Sequence, residues 1–99
     1  MSSIGRKRRT TLKVRASVFA ALGAEARLAL IEKLANGQPQ SISRLAQDST
    51  LTRQAVTKHL RVLENAGVVH SVRVGRESLF EFRLEPFEEL QSYLERVSS

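Results

Sequence analysis

The stretch that decides the fold is Ser41-Ile-Ser-Arg-Leu-Ala-Gln-Asp-Ser-Thr-Leu-Thr-Arg-Gln-Ala-Val-Thr-Lys-His-Leu-Arg-Val-Leu-Glu-Asn-Ala-Gly67. Apolar residues recur at helical spacing on both sides of a short polar break. Ser41 is placed to cap a short helix through Gln47, with Ile42, Leu45 and Ala46 turned inward. Asp48-Ser49-Thr50 has turn composition. Thr52 caps a longer helix, Arg53 to Ala66, whose inward row is Val56, Leu60 and Leu63, and Gly67 stops it. Ala46 is small where two helices must cross closely, and Leu51 and Val56 plug the crossing. Two helices joined by so short a turn make a helix-turn-helix unit.

The outward face of the longer helix carries Arg53, Gln54, Thr57, Lys58 and Arg61 as one continuous stripe, free of acid until Glu64. A solvated helix face normally mixes both signs. Arg and Lys can reach guanine, Gln can reach adenine, and Thr can meet a thymine methyl or a phosphate. The stripe therefore reads as a duplex-reading surface. The caps Ser41 and Thr52 stand at its edge and are counted with it. His59 lies one turn past Val56, at the edge of the buried row; it reads as a packing residue that also reaches a phosphate.

Downstream of Gly67 the period changes from 3.6 to 2. Val68 to Val74 and Ser78 to Leu84 alternate, with Phe80, Phe82 and Leu84 on one face, and Val74-Gly75-Arg76-Glu77 supplies the turn of a β-hairpin. Arg73 and Arg76 flank that turn. A hairpin beside a reading helix is a wing that contacts flanking phosphates, although Arg73 can instead pair across the strands with Glu77 or Glu81. Upstream, Val14 to Leu22 has apolar residues at helical spacing and ends at Gly23. Glu25 to Ala35 follows with Leu28, Ile31 and Leu34 one turn apart, closed by Asn36-Gly37; Pro39 keeps the next connection extended. Pro86 opens a last helix through about Val97. The expected class is mostly α with a small β-hairpin, a winged helix-turn-helix in the order α-α-α-α-β-β-α.

The chain has 99 residues with sixteen Lys and Arg against ten Asp and Glu, a net +6. That length suits one domain. Residues 1–24 hold six of the cations and no acid; residues 85–99 hold four Glu against one Arg. Such polarity suits a polyanion on one side and something else on the other. Residues 1–11 are basic and aperiodic and are expected to form a flexible arm, with residues 12–99 as the domain. The first stripe (Val14, Val18, Phe19, Leu22) and the last (Phe87, Leu90, Leu94, Val97, with Tyr93 beside it) exceed what so small a core can cover. They are expected to pair two copies about a two-fold axis, with reading helices one DNA turn apart, about 34 Å.

The chain resembles ArsR/SmtB-type winged-helix transcriptional repressors over residues 14–97. The carrying segments are Leu22-Gly-Ala-Glu-Ala-Arg-Leu-Ala-Leu-Ile-Glu-Lys-Leu34, Ser43-Arg-Leu-Ala46, Thr52 through Val69, and Leu79-Phe-Glu-Phe-Arg-Leu84. The resemblance implies a homodimer paired through its first and last helices, binding a palindromic operator on double-stranded DNA, and repression relieved by an inducer, often a metal. Two departures stand out. Thr50 occupies a turn position where the family mostly has glycine, and the paired cysteines or terminal-helix ligands of the metal-sensing branches are missing. DNA binding transfers; metal sensing does not, and the inducer is unknown.

With no cysteine, thiol catalysis, disulfides and thiolate metal sites are excluded. His59 and His70 alone do not make a usual zinc set. The acid pairs Glu88-Glu89 and Glu25/Glu32 lack a nucleophile or phosphate loop beside them, so no enzyme and no cofactor are expected. No apolar run approaches a membrane span and no signal core follows the basic start, which points to the cytoplasm. The expected function is a DNA-binding repressor acting by operator occlusion. The alternative is a winged-helix module for protein or RNA, against which the lack of stacking aromatics on the basic face counts.

Overall fold

The computed structural model describes the backbone of residues 2–99 and the side chains of residues 11–99. The order is α1 (Ser2–Leu22), α2 (Glu25–Ala35), β1 (Gln40–Ser41), α3 (Ile42–Gln47), α4 (Arg53–Asn65), β2 (Val69–Val74), β3 (Glu77–Phe82) and α5 (Glu85–Ser98). This is the expected winged helix-turn-helix with one added strand. The extended connection after Pro39 is β1, which pairs antiparallel with β3 through Gln40 opposite Phe80 and Ser41 opposite Leu79. The sheet order is β1-β3-β2, so β3 is central and the wing is anchored to the start of α3.

The ends of α3 and α4 form as their side chains dictate. Ser41 Oγ accepts from the Arg44 amide at 3.2 Å and Thr52 Oγ1 from the Ala55 amide at 3.1 Å, each satisfying a donor left open by the first turn. At the far end of α4, the Val68 amide donates to Leu63 O and the Gly67 amide to Glu64 O. This is a Schellman closure, and Gly67 takes the positive φ of 81° that it requires. The turn between α3 and α4 closes through the Ser49 amide on Ala46 O and the Leu51 amide on Ser49 Oγ. No non-glycine residue has positive φ among the described residues, so Thr50 fills its turn position without left-handed backbone.

Val56, Leu60 and Leu63 from α4 meet Leu45 from α3, Leu30, Ile31 and Leu34 from α2, and Val68, Val69 and Phe80 from the wing in one buried cluster. Three expectations need correction. Residues 1–11, expected as an unstructured arm, are helical from Ser2. Arg6, Lys7, Arg8 and Arg9 extend a helix at little cost once the turns after Leu12 have nucleated it, and propagation needs no apolar period. On α2, Leu28 is 45% exposed and Leu30 takes the inward place. Apolar side chains stand nearly all round that helix, so spacing alone could not fix its phase. Leu84 leaves the hairpin and becomes the residue preceding α5, 54% exposed.

Candidate nucleic-acid interface

The buried row of α4 fixes which face is presented outward. Arg53, Gln54, Lys58 and Arg61 are exposed on it. None of the four side chains makes a hydrogen bond or ion pair among the described residues. Thr57 is half-buried and its hydroxyl donates to Arg53 O at 2.8 Å, which leaves its methyl group as the free part. Glu64, the acid that bounds the stripe, accepts from Ser71 Oγ of β2 at 3.1 Å, so the wing draws it aside. The result is a single-signed strip of donors on a rigid helix, aimed away from the core.

The wing extends beyond this strip. Its turn consists of Gly75 and Arg76 between Val74 and Glu77, with Gly75 at a φ of 62°. A glycine with positive φ in the first turn position suits a two-residue hairpin of type II′. Arg76 is exposed at the tip. Arg73 lies opposite Ser78, not Glu77, while Glu81 is taken by His70, whose Nε2 stands 2.6 Å from Glu81 Oε1. Neither cross-strand pair considered for Arg73 forms, and its side chain is exposed.

Two candidate residues sit differently from the strip. Ser41 is half-buried, held as the α3 cap and in β1. His59 is half-buried on the flank of α4 that faces the α1–α2 joint, with Nδ1 3.4 Å from Arg27 Nη1. Arg27 in turn donates from Nε to Ala21 O at 2.7 Å and from Nη2 to Ala20 O at 3.3 Å, a cation on the carbonyl end of α1. His59 is thus part of a tie between α1, α2 and α4, set apart from Lys58 and Arg61. Arg44, exposed on the outward side of α3, is a cation that sequence reasoning missed. The spacing that turns Ile42 and Leu45 inward was enough to find it. Among the described residues no three His, Asp or Glu side chains gather as a metal site, and no helix is long and apolar enough to cross a membrane.

At the N-terminus of α5, the Glu85 carboxyl is held below its ordinary value of 4.5, chiefly by a hydrogen bond from its own backbone amide; desolvation opposes this, and Arg83 and then His70 lower it further.

The two terminal stripes divide. Val18 and Leu90 are 2% and 6% exposed and complete the chain's own core, while Leu22 and Phe87 pack against it. Val14, Phe19, Leu94 and Val97 remain exposed, and Tyr93 is half-buried. Leu12 joins Phe19 and the exposed Ala16 on one face of α1. It was missed because it lay where the arm was expected to end.

A family model described as HVO_A0114 matches residues 24–87. The uncharacterized HTH-type transcriptional regulator YuzN of Bacillus subtilis (strain 168) is 35% identical over 80 residues, covering 75% of this chain and 87% of its own. An ArsR-like transcriptional regulator from Rhodococcus sp. RHA1 superposes with a TM-score of 0.84 at 38% identity, over 90% of this chain and 83% of that one. The homodimeric winged helix-turn-helix DNA-binding domain of Mb0332 from Mycobacterium bovis shares the fold, with a TM-score of 0.75 at 22% identity over 92% and 83% of the two chains.

Proposed function

The chain belongs to the ArsR-like winged helix-turn-helix transcriptional regulators, and on that premise we propose that it is a homodimeric repressor that binds a palindromic operator and blocks polymerase by occupying it. The observation that carries this reading is the bare, acid-free strip of Arg53, Gln54, Lys58 and Arg61, with Arg76 at the wing tip beyond it. Side chains with this inventory read base edges from a helix in the major groove, while the wing and α3 supply phosphate contacts through Arg73, Arg76 and Arg44. Ser41 and Thr52 act by setting the helix starts, and Thr57 offers a methyl group to a thymine.

The exposed rows of α1 (Leu12, Phe19) and α5 (Leu94, Val97) pair two copies, as the homodimeric relative from M. bovis pairs by its own means. A two-fold arrangement then spaces two strips by about one helical turn of DNA, ~34 Å. The protein works in the cytoplasm and carries out no catalysis; its relatives are regulators.

Selection of random duplexes by the purified chain, with the mass of free and bound protein measured by light scattering, tests this reading. Enrichment of one inverted repeat, bound by two chains, is the expected result. Equal retention of scrambled duplex, or a preference for single-stranded RNA, overturns it.

A further inference from the structure

Three helices meet at Arg27. It stands half-buried in the first turn of α2, just past the joint at Gly23 and Ala24, and no carboxylate pairs with it among the described residues. Its Nε donates to Ala21 O at 2.7 Å and its Nη2 to Ala20 O at 3.3 Å, so one guanidinium holds two carbonyls in the last turn of α1. Ala20 O also accepts from the Gly23 amide at 3.1 Å, which brings the joint itself into the same contact. The remaining nitrogen, Nη1, reaches His59 Nδ1 on the flank of α4 at 3.4 Å. Arg has no acceptor, so this contact needs the His59 proton on Nε2.

Such a fork fixes direction as well as distance, because the guanidinium is planar and its donors are rigidly placed. Apolar packing fixes less. Val18 and Ala21 bury α1 against the body, yet ridge-and-groove packing by itself leaves a crossing angle open to roughly 15–20°. From Ala20 to Leu12 a helix rises about 12 Å, so a tilt of roughly 10° at the joint moves the Leu12 end by about 2 Å. Two copies apply that tilt twice, and the resulting ~4 Å exceeds one base step of about 3.4 Å along a duplex.

We propose that Arg27 is a positioning residue for operator recognition. It touches no DNA; it locks α1, whose exposed row pairs two copies, to α2 and to the flank of the reading helix, and so sets the half-site spacing that the dimer accepts. This inference rests on the dimer reading above and adds the side chain that fixes the angle between the pairing helix and the reading helix.

Fluorescence anisotropy tests it with four duplexes: the inverted repeat enriched by the selection above, the same repeat lengthened or shortened by one base pair at its centre, and a single half-site. The parent should bind both altered repeats ten-fold or more weakly than the selected one. Arg27→Met should bind the selected repeat several-fold more weakly than the parent does, hold the single half-site within two-fold of the parent, and bind all three spacings within three-fold of one another. His59→Leu, which removes the α4 end of the tie, should relax the spacing in the same direction and add little beside Arg27→Met. Arg27→Lys keeps a charge at the α1 carbonyls without the fork and should fall between parent and Arg27→Met. Should Arg27→Met not fold, Arg27→Lys and His59→Leu decide the matter.

A parent indifferent to spacing overturns the dimer reading itself. A parent that discriminates, with variants that discriminate as well as it does or weaken on all four duplexes by one common factor, overturns the tie alone, since mere loss of folded protein acts equally on every duplex. Dissociation of Arg27→Met to a monomer by light scattering also overturns it, because Arg27 would then serve the pairing and not the angle.

Discussion

Arg76 stands at the tip of the wing, exposed, with no hydrogen bond or ion pair among the described residues, so its removal leaves the fold intact. If it neutralises a phosphate, Arg76→Ala must change the salt dependence of binding as well as its strength. Each phosphate neutralised on B-DNA contributes about −0.9 to the slope of log K against log salt concentration. A two-fold dimer uses the residue twice, so the slope should become shallower by about 1.8. Between 50 and 200 mM salt, such a difference narrows the gap between parent and variant by roughly 12-fold. The loss should be the same for the selected duplex and for a scrambled one, because a phosphate contact carries no sequence information. Lys58→Ala and Arg61→Ala should behave otherwise if these residues meet base edges: about 1–3 kcal/mol lost on the selected duplex, and far less on the scrambled one. Fluorescence anisotropy of both labelled duplexes at four salt concentrations reads all of this. Parallel salt slopes for parent and Arg76→Ala refute the wing contact, and affinities unchanged in all three variants refute the strip as the DNA surface.

Gln54→Ala removes no charge, so it should leave the salt slope unaltered while relaxing preference at one base position, which a repeat of the duplex selection would show. Arg27→Met removes two charged hydrogen bonds to the α1 carbonyls and the contact with His59. A loss of about 1.5–3 kcal/mol is expected for such groups, at roughly 4–8 °C of melting temperature per kcal/mol in a domain of this size; a melt within 1 °C of the parent, roughly the error of such a measurement, would show the tie to be idle. Glu85 is held below its ordinary value of 4.5 in the folded chain, so its ionised form favours folding above that value and ceases to as pH falls through the lower folded one. Glu85→Gln should therefore melt below the parent at neutral pH and converge with it in acid; a constant difference across pH 3–7 would contradict the assignment.

The helices and wing were legible because their signals are local. Ser41 and Thr52 cap, Gly67 and Gly75 supply positive φ, and Val56, Leu60 and Leu63 repeat at one spacing, so each decision needed only neighbouring residues. β1 was not legible, since two residues carry no period and its pairing with Phe80 and Leu79 is long-range. The phase of α2 was hidden by apolar residues around its whole circumference. The helix before Val14 was hidden for the opposite reason, having hardly any apolar residue from which to read a face.

For the functional surfaces the same logic separates two cases. A surface meant for a polyanion differs in kind from a core, and the one-signed strip of α4 stands out by charge before any coordinates are known. The surface proposed for a second copy of the chain does not differ in kind: Val18 and Phe19 are neighbours on α1, both apolar, yet one is 2% and the other 42% exposed. Hydrophobic spacing counts how much must be buried and is silent on who buries it.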